Sequence, residues 1–427
     1  MHPRRLQFTS VSKRHFQAAL FTLHVPVVLL VGSVLLKSCN NPVPTSPSPG
    51  SWLVLLCKAA DAPQEPHPKA FYQTSFSKSQ QDLLFSYFDA ASFHTVDVSN
   101  TEVYGWFPMA VKTAEIAPSV RNNGTSPNRS QTVTDCENVA LVDIMTTGIT
   151  ADSAKYAGVI TVINVPVDSG QADQHSVVAS TQLDNEMGFM AHEMLHVLGL
   201  SNHSWRTSPD TSADHFWNHG GDVEYNDCWD IMSYRTCDYV FSTSRGIQGP
   251  ELEEAYRRIL NWLPAGRLKQ FSLYPPGTNS VTLAPVSDPT KPGFLLAQIE
   301  VENQGYYVVE YGENTGFDKA IPYNAVVIRE LRNDGITYLV QRQNGATGWR
   351  QGEMFTDSSN NISISVDSIV PGAATITINS TYSTSAPGVG DWCGDKYRGQ
   401  VLTCPASTTC RHKTSGQLMS VDWYCLP

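Results

Sequence analysis

The chain has 427 residues, which is enough for two or three domains with well-buried cores. Its hydrophobic content of 41% and charged content of 16% favour a folded protein of the secreted type over a disordered one. The net charge of −11 argues against nucleic acid as a partner, because a polyanion would be repelled. The nine cysteines favour an oxidising compartment.

The first forty residues have the pattern of an export signal. Basic residues between Arg4 and Arg14 precede an apolar run from about Ala18 to Leu36. We predict a signal peptide over residues 1–40. The run is long for a cleaved peptide and just adequate for a membrane span, so a signal anchor is the alternative. The rest of the chain is therefore expected outside the cytosol, secreted or, with an uncleaved anchor, attached to a membrane as a type II protein.

Residues 41–69 are predicted to be a linker, because Pro- and Ser-rich sequence follows the apolar run. The apolar patch Trp52–Cys57 within it is too short to cross a membrane. A folded domain is predicted over residues 70–265. Its segments Val103–Lys112 and Ala157–Val165 are rich in β-branched and aromatic residues and are predicted to be strands. Strands that precede a helix indicate an α+β arrangement, with the helix packed across a sheet.

A helix is predicted over Met187–Gly199, because apolar side chains recur there at helical spacing on one face. His192 and His196 project together from roughly the opposite side. Gly199 can adopt the left-handed conformation that ends a helix. The chain can then turn sharply, so that His203 swings back toward the first two histidines.

Three neutral imidazoles and one water form the open tetrahedral arrangement of a catalytic zinc ion, whereas a structural zinc ion has a fourth protein ligand. We therefore predict one catalytic Zn²⁺ held by His192, His196 and His203. Glu193 follows the first ligand, so its carboxylate can reach the metal-bound water without binding the metal. Zinc lowers the pKa of that water toward neutrality, and the carboxylate can take its proton. This arrangement indicates hydrolysis of a peptide bond.

The sequence resembles the metzincin metallopeptidases, whose HExxHxxGxxH motif is followed by a Met-turn. Within that clan it is similar to the gametolysin and immune-inhibitor-A-like branch over about residues 70–380. The resemblance implies that Met232 lies beneath the zinc ion as a hydrophobic floor. It also implies that Tyr234 can stabilise the oxyanion of the tetrahedral intermediate, although an ordinary turn tyrosine with its hydroxyl in water fits equally well. The matching segments are His192–Gly199, Glu224–Ser233, Leu260–Pro264, Tyr306–Tyr311 and Thr315–Asp318.

One position departs from the family motif. The third histidine of the motif falls three residues after the glycine, where this chain has Asn202, and His203 follows one residue later. Either the turn carries an extra residue and His203 is the ligand, or Asn202 takes the position and binds weakly. Zinc prefers imidazole to an amide oxygen, and loops tolerate single insertions. We therefore predict His203 as the ligand.

Polar residues between the helix and the Met-turn could line a cleft or bind Ca²⁺. No regular calcium-loop spacing is present, so a solvated polar loop is favoured and Ca²⁺ has no motif to support it. A disulfide that brackets the Met-turn is plausible, but connectivity cannot be read from sequence. The residues concerned are Asp210, Asp214, His215, His219 and Asp222 for the loop, and Cys228 with Cys237 for the disulfide.

The second half of the chain changes character. A helix is predicted over Pro250–Leu263. Short apolar or alternating runs separated by Gly, Asn, Asp and Pro then predict an antiparallel β-sandwich domain over residues 266–382. Residues 383–427 are predicted to be a small module held by disulfides. It contains Cys393, Cys404, Cys410 and Cys425, and N-glycosylation acceptors occur at Asn123, Asn128, Asn202, Asn361 and Asn379.

The sequence thus predicts an α+β fold in which a metzincin-like catalytic domain precedes the β-sandwich and the Cys-rich module. The predicted function is that of a secreted zinc endopeptidase, acting on protein or peptide substrates of the extracellular matrix or cell wall if the resemblance extends to biology. The alternative is a catalytically inactive metzincin-fold protein that binds matrix or mediates adhesion. The intact Glu193 argues against it, because a binding protein has no need of a base. A zinc hydrolase of a non-peptide amide is a third hypothesis.

Overall fold

The structure is a computed structural model. All of the residues that it describes lie in one compact unit, Pro47–Pro427. The predicted signal peptide or anchor over residues 1–40 lies outside them, and none of the described helices is long and apolar enough to cross a membrane. The structure describes residues 50–116, 129–146, 155–165, 171–172, 176–181, 183, 186–207, 222–234, 239–272, 276–301, 305–342, 345–381, 392–395, 400–401, 409–412 and 422–426.

The described part of the chain combines helices and sheets in an α+β fold. The helices are α1 (Lys69–Thr74), α2 (Leu84–Ala91), α3 (Thr113–Ile116), α4 (Arg129–Thr146), α5 (Met187–Val197) and α6 (Glu254–Ile259). The strands are β1 (Trp52–Lys58), β2 (Glu102–Pro108), β3 (Gly158–Ile163), β4 (Gln171–Ala172), β5 (Ser176–Ala179), β6 (Trp205–Arg206), β7 (Val223–Glu224), β8 (Phe241–Thr243), β9 (Gly246–Gln248), β10 (Leu268–Phe271), β11 (Gly277–Leu283), β12 (Leu296–Val301), β13 (Gly305–Gly312), β14 (Ala325–Arg332), β15 (Thr337–Leu339), β16 (Met354–Asp357), β17 (Ile362–Val370), β18 (Ala373–Ser380), β19 (Trp392–Asp395), β20 (Gln400–Val401), β21 (Thr409–His412) and β22 (Asp422–Leu426).

The first sheet has the strand order β2-β1-β3-β5-β4. Its strands are parallel except for β4, which pairs antiparallel with β5 at the edge. Successive side chains of a strand point to opposite faces of the sheet. Trp52, Val54 and Leu56 of β1 therefore share a core with α5, and the alternate residues of β1 share a second core with α4. A disulfide between Cys57 and Cys136 also joins β1 to α4.

The prediction of a linker over residues 41–69 is wrong for Trp52–Lys58, which forms β1. A strand buried on both faces is a continuous apolar run and lacks the alternation that marks a half-buried strand. The run in β1 is also flanked by Pro-rich sequence, which is typical of linkers. The segment is therefore a strand between β2 and β3, and the folded part begins well before residue 70.

A second, seven-stranded sheet has the order β10-β12-β13-β14-β15-β6-β7. Its pairings β10 with β12 and β15 with β6 are parallel, so the prediction of antiparallel strands throughout is wrong for this sheet. It shares a core with an antiparallel sheet of order β11-β18-β17-β16. Strands β6 and β7 come from the chain that follows α5. The sheet therefore crosses the border predicted at residue 265, and one of its edges supports the segment that contains His203 and Glu224.

The C-terminal strands β19 to β22 form an antiparallel sheet of order β20-β19-β22-β21. Its backbone pairing is described, but the disulfides predicted for this module lie outside the described side chains. Strands β8 and β9 form a separate hairpin.

Candidate metal centre

Helix α5 carries two histidines that face the same point. Its residues from Met187 to Leu195 are buried, because one side packs against the first sheet and the other against the segment around the Met-turn. The helix ends where Gly199 adopts a left-handed φ of +122°, as the sequence predicts. The chain then reverses and brings His203 back beside His192 and His196.

The three imidazoles converge through their Nε2 atoms. The His196 Nε2 lies 3.1 Å from the His192 Nε2 and 3.2 Å from the His203 Nε2. Three nitrogens at tetrahedral angles around a metal ion, each about 2.0–2.1 Å from it, would be about 3.4 Å apart. These two distances are close to that value, and the ligand atoms of the three rings all lie within 4.8 Å of one another, so the rings could hold one ion together.

Hydrogen bonds fix the nitrogen that each ring turns inward. The Nδ1–H groups of His192 and His196 donate to the carbonyl oxygens of Ile231 (3.0 Å) and Leu200 (2.6 Å). The Nδ1–H of His203 donates to the Glu224 carboxylate over 2.7 Å. Neutral rings held in this way direct three Nε2 lone pairs at one another, which is unfavourable unless a cation accepts them. The arrangement of donors and acceptors is thus itself an argument for a bound metal ion.

The electrostatic surroundings favour the neutral, metal-binding form of the rings on α5. Burial, and then the neighbouring His196, lowers the pKa of His192 to about 3. Burial is also the main cause that lowers the pKa of His196. Both imidazoles therefore keep a free lone pair at neutral pH, which is the state that binds metals.

The structure brings His203, rather than Asn202, into the group. Asn202 is partly buried in the same turn, but its neighbour His203 supplies the third converging nitrogen. The turn thus carries one residue more than the family motif. His203 is held by Glu224 and by the edge of the second sheet, where β6 begins two residues later.

The segment predicted to be the Met-turn adjoins His192. Residues Ile231–Ser233 form a 3-10 turn that Asp230 caps, since its carboxylate accepts from the Met232 N–H over 3.1 Å. The same turn presents the Ile231 carbonyl to His192, so it orients that ring. Met232 is fully buried in the core that α5 also enters. Met232 therefore packs in the same core as α5, and its predicted place beneath a metal ion stays a prediction.

Tyr234, the second catalytic candidate of the sequence, packs its ring beside the start of α5. The ring centroid lies 6.4 Å from that of Phe189. A Cβ atom added to Gly188 would be only 2.6 Å from the Tyr234 Cε2, so the two segments fit closely because residue 188 is glycine. The described ring contacts of Tyr234 are therefore about one helical turn before His192. Its predicted role stays a prediction.

Two residues near the histidines had no role in the sequence analysis. Glu224 holds His203 as described above, and the Tyr225 hydroxyl lies 2.7 Å from the His203 Nε2. Burial, and then the charges of Glu224 and Glu193, raises the pKa of Tyr225 to about 12. Both residues lie in the segment that resembles the family, but no spacing rule pointed to them. They reach the site because β7 pairs with β6, which is a long-range contact.

Glu193, the predicted base, is buried in α5 and lies within electrostatic range of Tyr225. It follows His192 in the chain, and its predicted role as a base stays a prediction. Its burial also means that few bulk water molecules compete for it.

We expect replacement of Glu224 by Gln to weaken metal binding. The carboxylate orients His203 and makes its inward nitrogen more basic, and the loss of such a partner typically lowers metal affinity about 10–100-fold. Competition with a chromophoric chelator measures the change, and Glu115→Gln, on exposed α3, serves as the matched control. An unchanged dissociation constant for Glu224→Gln would show that the carboxylate does not support the ligand.

Buried ion pairs join the Met-turn to the second sheet. Arg329 of β14 forms ion pairs with Asp227, Glu253 and Glu310, and all four side chains are nearly or fully inaccessible. Asp230 accepts the N–H of Glu253 over 2.9 Å, which ties the cap of the Met-turn to the segment before α6. The second sheet therefore supports the metal centre directly.

Among the described residues near Arg257, Arg329 and Arg332, buried carboxylates outnumber these guanidinium groups. Burial raises the pKa values of several of these carboxyl groups. Burial is the main cause that raises the pKa of Glu254 to about 8, although Arg257 opposes it. Burial likewise raises the pKa of Glu330 to about 8 against the effect of Arg332. Both acids bind a proton more tightly in the folded state than in the unfolded chain. Their contribution to stability is complete below pH about 4 and is lost as the pH rises through about 8.

We therefore expect the metal-free protein to become less stable between pH 7 and pH 9. Each of the two acids would remove about 1 kcal/mol per pH unit until its folded pKa is passed. His192 adds little slope in this range, because its folded pKa of about 3 and its ordinary value of about 6.5 both lie below pH 7. Urea unfolding at several pH values measures the effect, and Glu254→Gln should flatten part of it. A free energy of unfolding that is constant or rises from pH 7 to pH 9 would contradict this account.

The structure describes only some of the polar residues and cysteines that the sequence analysis singled out around the Met-turn. Asp222 is not a solvated loop residue, because its carboxylate pairs with Arg332 over 2.8 Å. Asp210, Asp214, His215 and His219, and with them the proposed Ca²⁺ ligands, lie outside the described residues. Cys228 is disulfide-bonded, but Cys237, its predicted partner, also lies outside them.

No protein-family model, curated protein or solved structure matches this chain. The chemistry of the centre rests on its own geometry. Three inward imidazole nitrogens, a buried carboxylate beside the first and a phenol beside the third are suited to bind a divalent metal ion and to move protons next to it.

Proposed function

We propose that the protein is a zinc-dependent endopeptidase of the metzincin type. The observation that carries the proposal is the convergence of the Nε2 atoms of His192, His196 and His203, with Glu193 next to the first of them. Three protein ligands leave a tetrahedral ion one open position, which is the mark of a catalytic zinc. A fourth histidine or cysteine would instead favour a structural site.

Zinc is the metal that best suits this donor set. Imidazole nitrogens also bind copper, iron and nickel, but a group of three imidazoles, which no thiolate joins among the described residues, is typical of hydrolytic zinc. The matched Nδ1 acceptors of all three rings support this choice, because metal-bound histidines usually donate their second N–H to a carbonyl or a carboxylate.

The residues of the chain have separate tasks in the proposed reaction. When bound, zinc supplies a Lewis acid that polarises the peptide carbonyl and lowers the pKa of a water molecule beside it. The Glu193 carboxylate takes a proton from that water as the oxygen attacks the carbonyl carbon. The same carboxyl group then returns a proton to the leaving amine. The Ile231 carbonyl, which accepts from the His192 Nδ1–H, would keep that ring in place throughout. Met232 would serve as a hydrophobic support.

The substrate would lie along the β4 edge of the first sheet. Strand β4 is the edge strand, it runs antiparallel to its neighbour, and α5 contacts it. We propose that an extended peptide adds to this edge as a further strand, which would carry it past the histidines of α5. A protein or peptide substrate is thus consistent with the shape of the sheet.

An extracellular setting is part of the proposal. The disulfide between Cys57 and Cys136 and the bonded state of Cys228 favour an oxidising compartment. The protein would be secreted, or held as a type II membrane protein if its N-terminal apolar run is not removed. We also propose that the two sheets that share a core over residues 266–382 act as a β-sandwich domain and that residues 383–427 form a disulfide-bonded module.

Removal and return of zinc tests the function. The purified protein should contain one zinc ion and cleave casein, lose both with a chelator, and regain cleavage on addition of stoichiometric Zn²⁺. His203→Ala should lose the ion at chelator concentrations that leave Asn202→Ala loaded, since only the imidazole converges with the other two. Folded, zinc-loaded protein that cleaves no peptide would instead favour an inactive adhesion or matrix-binding protein.

A further inference from the structure

The hydroxyl of Tyr225 lies at the point where the metal ligands meet. It is 2.7 Å from the Nε2 of His203, the nitrogen that faces the other two rings. The Nδ1–H of His203 donates a hydrogen bond to the Glu224 carboxylate, so the Nε2 of this neutral ring carries a lone pair. The phenol therefore donates its O–H to that lone pair in the structure.

Binding of a metal ion would change the partner of this hydroxyl. If His203 held a metal ion through its Nε2, that lone pair could no longer accept the phenol's hydrogen bond. The Tyr225 O–H would then need a new acceptor close to the three converging imidazoles. An oxygen that develops negative charge at that position is the acceptor best suited to it.

Several contacts hold Tyr225 in this place. Its ring lies on the imidazole of His203, with centroids 3.9 Å apart. Its backbone N–H donates to the Ser204 carbonyl over 3.0 Å, and it follows Glu224, whose strand pairs with Trp205. The residue has a left-handed φ of +59°, which aims the side chain back over the histidines. A preorganised donor of this kind loses little conformational freedom when it binds a transition state.

We propose that Tyr225 is a catalytic residue that donates a hydrogen bond to the oxyanion of the tetrahedral intermediate. The role rests on the proposed peptidase function, and it assigns to Tyr225 what the family resemblance would assign to Tyr234. The phenol keeps its proton throughout, and no covalent bond of Tyr225 forms or breaks. Glu193, on the same site, performs the proton transfers.

The test compares Tyr225→Phe with the wild-type, zinc-loaded protein. Loss of one oxyanion donor typically lowers kcat about 10²–10³-fold, and KM should change little. A phosphinic peptide, whose tetrahedral oxygens imitate the oxyanion, should lose affinity by a similar factor in calorimetry. A non-cleavable ground-state peptide with the same side chains should bind Tyr225→Phe as it binds the wild type. Zinc content should stay at one ion.

Two further variants make the result specific. Tyr104→Phe, on β2 of the first sheet, is the matched control and should keep wild-type activity. Tyr234→Phe should retain its affinity for the phosphinic peptide. The proposal is overturned if Tyr225→Phe keeps its kcat and its phosphinate affinity, or if both peptides weaken equally, which would indicate only a structural role. Wild-type protein that holds no zinc or cleaves no peptide would overturn the proposed peptidase function, and with it the role of Tyr225. Active wild-type protein with an unaffected Tyr225→Phe variant would overturn the role of Tyr225 alone.

Discussion

Replacement of Glu193 by Gln is expected to lower kcat for peptide cleavage by about 10²–10⁴-fold, the usual contribution of a general base. The amide has nearly the shape of the carboxylate but cannot take a proton from water. The three imidazoles do not depend on Glu193 for their orientation, since their Nδ1 atoms donate to Ile231, Leu200 and Glu224. Zinc should therefore stay bound while turnover is lost.

The zinc content and the rate of peptide cleavage must both be measured on the same sample. Zinc content by atomic absorption and initial rates on a fluorogenic peptide give the split between binding and chemistry. Glu115→Gln, an exposed glutamate of α3, is the control and should match the wild type in both. A Glu193→Gln protein that holds zinc and cleaves at more than a tenth of the wild-type rate would exclude Glu193 as the base.

The sequence predicts those parts of the molecule whose pattern is local. Helix α5 extends over Met187–Val197, close to the predicted Met187–Gly199, because its apolar spacing and its terminal glycine lie within a few turns of one another. Strands β2 and β3 overlap the predicted segments for the same reason. The convergence of His192 and His196 follows from helical geometry alone.

Other parts depend on contacts between distant residues. The helix predicted over Pro250–Leu263 is reduced to α6, Glu254–Ile259. The preceding residues are extended because the N–H of Glu251 donates to Asp318 and that of Glu253 donates to Asp230. Neither partner can be inferred from helical propensity. Glu251 and Glu253 of this segment are instead part of the buried ion pairs, with Arg257 and Arg329.

The same limit explains why Tyr225 was missed. Its position depends on the pairing of β7 with β6 and of β6 with β15, so a strand more than one hundred residues later fixes a residue beside the three histidines. A sequence pattern can show that Glu224 and Tyr225 belong to a motif of a family. It cannot show that their side chains point at His203.

Arg329→Met is expected to destabilise the folded protein by about 3–5 kcal/mol, because it leaves buried carboxylates without their cation. Asp227, Glu253 and Glu310 all pair with this one guanidinium, and none can reach water without disruption of the core. Methionine keeps much of the side-chain volume, so the loss would be mainly electrostatic. Urea unfolding of the metal-free protein gives the free energy, and Arg350→Met, at an exposed position, is the control.

The effect should extend to the metal centre, because Asp227 and Glu253 are connected to the Met-turn. The Asp227 N–H donates to the Ser233 hydroxyl oxygen over 3.0 Å. The Glu253 N–H donates to the carboxylate of Asp230, which caps the turn that orients His192. Addition of Asp227→Asn and Glu310→Gln to Arg329→Met should restore part of the stability, since fewer uncompensated charges remain buried. If Arg329→Met alone costs less than about 1 kcal/mol, the value of an exposed pair, the second sheet does not support the site through this cluster. If it costs the full amount and the added substitutions recover none of it, the loss is one of packing, and the charges are not what joins the sheet to the Met-turn.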